Sequence, residues 1–209
     1  MPRDKPLIHH LDTTFEYNRK YLSVLSFRHE MLVDHATKTT EPTVPLFSYI
    51  HQRKSKFDHE LAFFAARQAI SKAVPRWAEK EKIMVTDREF NCDDYMPGTK
   101  QVYCWNHLQT NLDYHARNKV KLAPEDAAVA LRDLNSMLRS SDEVNYNRRK
   151  REAFRNEDAW PQEMRKYFDD YMDNDIRTRA GRWYLESINL PNADLGITNN
   201  PAESLNNTA

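Results

Sequence analysis

The sequence predicts an α/β protein in which a mixed sheet with flanking helices comes first and an all-helical block follows. Three observations carry that reading. Three apolar-rich segments between Leu7 and Ile50 read as strands, the second and third by side chains that alternate between two sides. A helical pattern then separates them from the apolar run Ile83-Met84-Val85, and a crossover helix between strands marks a parallel addition to a sheet. From Pro124 onward apolar residues recur at helical spacing and no strand signal is seen.

In chain order, residues 7–15 read as the first strand. Tyr21–Phe27 alternates, with Tyr21, Leu25 and Phe27 on one side and Leu22 and Val24 on the other. Val44–Ile50 follows, with Val44, Leu46 and Ile50 set against Phe47 and Tyr49. The polar stretch Asp34–Pro42 is a turn, so the three are expected to be consecutive antiparallel strands. Asp58 reads as the N-cap of a helix whose apolar face is Leu61, Phe64, Ala65 and Ala69, with Phe63, Ala66 and Ile70 alongside. Pro75 stops it. Lys82 then opens a buried strand running into Thr86 and Asp87, where the last side chain emerges at the sheet edge. Asn91–Lys100, with Pro97-Gly98, is a loop, Gln101–Cys104 a short fifth strand, and His107–Lys119 a helix.

Pro124-Glu125-Asp126 has the chemistry of a first helical turn, with acids at the positive dipole end. Ala127, Leu131, Leu134 and Leu138 continue it as a stripe. Pro161 opens another helix through Met164, Tyr167, Phe168, Tyr171 and Met172. Asn189–Asn199 is a loop, and a short helix starts near Pro201. The organisation is thus a sheet core over residues 1–122, a helical insertion over 123–190, and a final loop and short helix over 191–209.

Composition narrows the function. The 209 residues suffice for one sizeable domain. Lys and Arg number 31 and so do Asp and Glu, so the net charge is zero. That counts against a dedicated DNA-binding module but not against a nuclease core, whose concentrated carboxylates cancel basic residues elsewhere. Gly98, Gly181 and Gly196 are the only glycines, which excludes glycine-rich phosphate loops of the P-loop and Rossmann kinds. Two cysteines, Cys92 and Cys104, suit a reducing compartment. No apolar run is long enough to span a membrane, and no signal peptide is seen.

Three acids stand in telling contexts. Asp12 interrupts the apolar-rich run 7–15, Asp87 ends the buried strand, and Glu203 lies in Ile197-Thr198-Asn199-Asn200-Pro201-Ala202-Glu203-Ser204-Leu205-Asn206-Asn207. They read as a set that meets around divalent metal. Each also has an ordinary reading. Asn200-Pro201-Ala202-Glu203 is a helix capping box, Asp87 can end a strand and begin a turn, and Asp12 can be an exposed edge position. Cys104 and His107 have the spacing of half a zinc site, with Cys92 and His115 as the remaining candidates, but their order matches no standard zinc pattern and structural zinc is not expected. Arg148-Arg149-Lys150-Arg151 is the densest basic run; it reads either as a phosphate grip or nuclear import signal, or as a solvated helix face. Asp169, Asp170, Asp173 and Asp175 read as a solvated acidic face, and Trp160, Trp183 and Tyr184 as core of the insertion.

Four blocks in order carry a family resemblance: Leu11-Asp12-Thr13-Thr14-Phe15, Val85-Thr86-Asp87, Cys104-Trp105-Asn106-His107-Leu108, and Thr198-Asn199-Asn200-Pro201-Ala202-Glu203-Ser204-Leu205-Asn206. With them the chain resembles the catalytic domain of Mutator-like element (MULE) transposases, of the DDE, RNase H-like group. The resemblance implies an RNase H-like sheet with a helical insertion before the last catalytic helix. It implies DNA strand cleavage and strand transfer with two magnesium (or manganese) ions held by Asp12, Asp87 and Glu203. Cys104 and His107 would then stand in the second shell of that site or contact DNA, and Arg148, Arg149, Lys150 and Arg151 would contact DNA phosphate. The implied partners are transposon-end and target DNA, with no membrane; a homo-oligomer is compatible with it, and the implied location is the nucleus. Ala209 follows Glu203 by six residues, so the last helix is expected to be truncated at roughly two turns and cleavage to be weak. The competing expectation is a transposase-derived regulatory or DNA-associated protein that keeps the fold with little or no turnover.

Overall fold

The computed structural model describes residues 6–17, 20–28, 43–53, 55–74, 76–88, 92, 96, 98–190, 193 and 197. The expected turn at Asp34–Pro42 and the helix from Pro201 lie outside them. The described chain is α/β, and it divides into two compact units, one up to Val102 and one over Tyr103–Ile197.

The first unit holds a five-stranded mixed sheet. Its strands are β1 (Leu7–Tyr17), β2 (Lys20–Arg28), β3 (Thr43–His51), β4 (Lys82–Thr86) and β5 (Thr99–Tyr103), in the order β3-β2-β1-β4-β5. β1 pairs antiparallel with β2, and β2 antiparallel with β3. β4 joins the other side of β1 in parallel, after the crossover helix α1 (Lys56–Ala73). All five residues of β4 are buried, as expected of a strand covered on both faces.

Register decides which side chains share a face. His9, Leu11 and Thr13 of β1 lie level with Phe27, Leu25 and Ser23 of β2. Leu11 and Leu25 belong to the core of this unit with Phe63, Ala66 and Ile70 of α1, Trp77, Met84, Cys92 and Met96. The helix therefore covers the face of His9, Leu11 and Thr13. Ile8, His10 and Asp12 alternate to the opposite face.

Three sequence expectations are corrected here. In β3 the pairing runs Leu25 to Phe47 and then Ser26 to Pro45, so Leu46 is an extra, bulged residue. The bulge reverses the alternation, and Val44 shares a face with Phe47 and Tyr49 rather than with Ile50. In α1 the buried stripe is His59, Ala62, Phe63, Ala66 and Ile70. Leu61 and Phe64, expected to face inward, are each 60% exposed. The N-cap of α1 is Ser55 and not Asp58. The Asp58 amide donates to Ser55 Oγ at 3.2 Å, and the Ser55 hydroxyl donates to the Asp58 carboxylate at 2.7 Å. Asp58 is therefore the third helical residue, near the positive end of the dipole.

The second unit is helical after β5, and its described residues 124–185 contain no strand. α2 (Trp105–Tyr114) widens into a π-helical turn over His115–Val120 and stops where Lys121 turns left-handed, at φ 63°. α3 (Pro124–Leu138) starts on its proline, and α4 (Glu143–Ala153) on Asp142, whose carboxylate accepts the Asn145 amide at 2.7 Å. α5 (Gln162–Tyr171), the single turn α6 (Asp173–Asp175), a second π-helical turn (Ile176–Ala180) and α7 (Arg182–Ser187) complete it. Leu112, Ala130, Leu134, Tyr146, Trp160 and Phe168 are fully buried. Trp160 lies in this core as expected, and its indole N–H reaches the Asp133 carboxylate at 2.9 Å. Gly181 is fixed by contact. A Cβ there would lie 2.4 Å from the Trp183 ring and 2.7 Å from the Ile176 carbonyl oxygen.

Candidate functional site

The parallel pairing of β1 and β4 runs Leu7 to Lys82, Ile8 to Ile83, His9 to Met84 and His10 to Val85. The pairing ends there: Asp12 lies two residues further along β1, on the face opposite α1, and Asp87 lies two residues beyond Val85, just past the end of β4. Asp12 is buried and Asp87, the first residue past β4, is half-buried.

The supports of this pair are rigid. Ile83, Met84, Val85 and Thr86 are fully buried, which fixes the strand end from which Asp87 projects. Gln101 of β5 donates its side-chain amide to Thr86 Oγ1 at 2.7 Å and accepts the Cys92 amide at 3.3 Å. Beside Asp12, Thr13 points to the helix side. Its hydroxyl lies 2.7 Å from Ser23 Oγ, which lies 2.9 Å from His51 Nε2. His51 Nδ1 is 2.8 Å from the Arg53 carbonyl. A carbonyl only accepts, so His51 carries its proton on Nδ1 and, when neutral, receives the Ser23 hydroxyl at Nε2. This chain of bonds ties β1 to β2 and β3 immediately behind Asp12. It was not legible in the sequence, because its members are 10 and 28 residues apart.

A divalent cation held between two carboxylates would offset their mutual repulsion. The donor set is hard oxygen, which suits magnesium or manganese. Glu203, the third expected acid, lies outside the described residues. Among the described residues no three His, Cys, Asp or Glu side chains form a group that could hold a metal.

The other expected site residues belong to the second unit. Cys104 is the N-cap residue of α2, fully buried and with no side-chain capping bond. His107 is half-buried in the first turn of the same helix. Cys92 and Cys104 are both buried, and neither is in a disulfide.

The basic run lies on α4, and three of its four members are engaged within the unit. Arg148 pairs with Glu152 at 3.0 Å. Arg149 donates to the Ser136 carbonyl. Lys150 contacts Asp169 at 2.6 Å and Asp173 at 2.7 Å. Arg151 is exposed.

The expectation of a wholly solvated acidic face is corrected at Asp173. This carboxylate accepts from the Tyr146 hydroxyl, Lys150 Nζ and Arg177 Nε, each at 2.7 Å. Burial works to raise its pKa, but the bonds from Arg177, Lys150 and Tyr146 outweigh it and hold the carboxyl below the ordinary range. The buried Tyr146 phenol is pushed upward, first by burial and then by its bond to Asp173. Tyr146 and Lys150 lie 27 and 23 residues before Asp173, so no local pattern announces them; only Arg177, four residues on, is a local partner.

No family model matches this chain, and no curated protein matches it. Among the described residues no helix is long and apolar enough to cross a membrane.

Proposed function

We propose that this chain is a metal-dependent phosphodiester-transfer domain of the RNase H-like, DDE transposase type, acting on DNA by strand cleavage and strand transfer. The observation that supports the reading is the parallel pairing of β1 with β4, in which His10 is level with Val85, each two residues before one of the two aspartates. The strand order gives further support: three antiparallel strands in sequence, then a parallel strand delivered by a crossover helix. The motif blocks around Asp12, Asp87 and Glu203 occur in the order the resemblance requires.

In this reading Asp12 and Asp87 hold a shared magnesium or manganese ion, and Glu203 supplies the third carboxylate. Bound metal of this kind activates the attacking hydroxyl and relieves charge on the leaving oxygen. The chain itself contributes placement. The buried β4, the Gln101 bond to Thr86 and the Thr13-Ser23-His51 chain hold the two aspartates at fixed positions without spending binding energy on ordering them.

Calorimetric titration with manganese tests the reading. The native chain is expected to bind, and Asp12→Asn and Asp87→Asn are each expected to weaken binding by at least about tenfold. Unchanged binding in either variant removes the metal site. Nicking of a labelled duplex with magnesium, with Glu203→Gln as control, then tests the third acid.

A further inference from the structure

We propose that the helical unit carries a second site, in which the cleft lined by Asn147, Lys150, Arg151, Phe154 and Arg155 binds single-stranded nucleic acid through its phosphates. The cleft is a shallow, open depression with room of about 490 Å³. The choice of nucleic acid among phosphate-bearing ligands rests on the proposed function; the anion site itself rests on the cleft.

The argument is one of charge left over. In this unit most basic side chains are spent locally. Arg117 pairs with Asp113, Arg148 with Glu152, Lys166 with Asp170 and Arg182 with Glu186, each one helical turn apart. Arg165 pairs with Glu157, and Arg177 with Asp173 and Glu143. Arg151 and Arg155, like Lys121 and Arg132 elsewhere in the unit, are exposed and have no carboxylate partner among the described residues, and of these four only Arg151 and Arg155 line the cleft. Lys150 is balanced by Asp169 and Asp173, so the uncompensated charge of the cleft is that of the two arginines.

The remaining walls select the ligand. The Asn147 side-chain oxygen accepts from Arg177 at 2.6 Å, which leaves its N–H₂ group to donate. Guanidinium and amide donors together suit phosphate oxygens. Phe154 packs against Trp160 and Phe168, at ring separations of 5.1 and 5.7 Å, carries Lys150 Nζ over its ring at 5.5 Å, and is half-exposed at the cleft. An aromatic face beside cationic donors is the arrangement that takes an unpaired base with its phosphates. In a duplex the bases are stacked inward, so the ring would have nothing to meet.

The probe is a fluorescein-labelled twelve-nucleotide oligothymidylate, followed by anisotropy in EDTA across a salt series. Two arginine–phosphate contacts contribute a salt slope of about −1.4 on single strands, which is about a sevenfold fall in affinity between 50 and 200 mM salt. Arg151→Gln with Arg155→Gln should remove that share of the slope, whereas Arg148→Gln, whose charge is already paired, should leave it. The unsubstituted protein should bind oligothymidylate more tightly than an abasic strand of equal length or the corresponding duplex. Absence of binding, an unchanged slope in the double variant, or equal affinity for the abasic strand or the duplex overturns the proposal. Because EDTA removes metal, loss of the Asp12–Asp87 site leaves this binding intact. Asp12→Asn with Asp87→Asn should therefore bind as the native chain does, so the two readings fail separately.

Discussion

Replacing Asp173 by alanine should destabilise the helical unit by about 1–3 kcal/mol, the range for leaving a buried polar group without its partner. The structure shows where the cost arises. The Tyr146 hydroxyl is buried and loses its acceptor, at about 1–3 kcal/mol for an unsatisfied group. Lys150 and Arg177 lose a charge-assisted bond each, but Lys150 keeps Asp169, and Arg177 keeps Glu143 and Asn147. The cationic part is therefore partly recovered, and the phenol part is not. The pH dependence has a definite sign. Asp173 has a folded pKa below its ordinary 3.8, so the unfolded state binds more protons as the pH falls. Its contribution is full above about pH 4 and is lost as the pH drops through the folded value. Urea unfolding at pH 7 and pH 3 measures both effects, read by the fluorescence of Trp183, whose ring lies 5.3 Å from Tyr146. A loss below 1 kcal/mol at pH 7, or an equal acid sensitivity in Asp173→Ala and the native chain, would falsify the account of Asp173 as the centre of this network. Tyr146→Phe combined with Asp173→Ala should cost less than the sum of the single changes.

Two further outcomes are expected. His9 has its pKa lowered to about 4, first by burial and then by the charge of Lys82, against an opposing bond with the Leu7 backbone. Between pH 6.5 and 4 the unfolded chain takes the proton and the folded chain does not, so the sheet unit should lose about 3 kcal/mol across that window. His9→Leu should flatten the stability profile there, and an unaltered profile refutes the assignment. Gly181→Ala should lower stability by about 1–3 kcal/mol, because the new methyl meets the Trp183 ring and the Ile176 carbonyl. A variant with native melting temperature and native tryptophan emission would show that the ring moves aside freely.

What could be read from the sequence follows from how local each signal is. The uninterrupted Ile83-Met84-Val85 run announced a strand buried on both faces, and that strand is covered throughout. Pro124 and Pro161 marked helix starts; α3 begins on Pro124, and Pro161 stands one residue before α5 as its N-cap. α1 was harder. It carries Phe57, Leu61 and Phe64 on one side and Phe63, Ala66 and Ile70 on another, so periodicity alone cannot choose, and the sheet decides. Ser55 and Asp58 are both capping residues three apart, and only the backbone shows which stands outside the helix. The aspartates of the candidate site were legible as residue types in telling places. Their placement depends on a pairing between segments 75 residues apart, which no window of sequence contains.

The bulge at Leu46 has a bearing on how copies of this chain meet. β3 forms one border of the sheet, and a free border is where a second sheet could add on. Such growth requires an unbroken comb of backbone donors and acceptors. Pro45 removes one tooth from the strand, and the adjacent extra residue throws the rest out of step. The sheet is thus closed to extension on that side by two neighbouring residues.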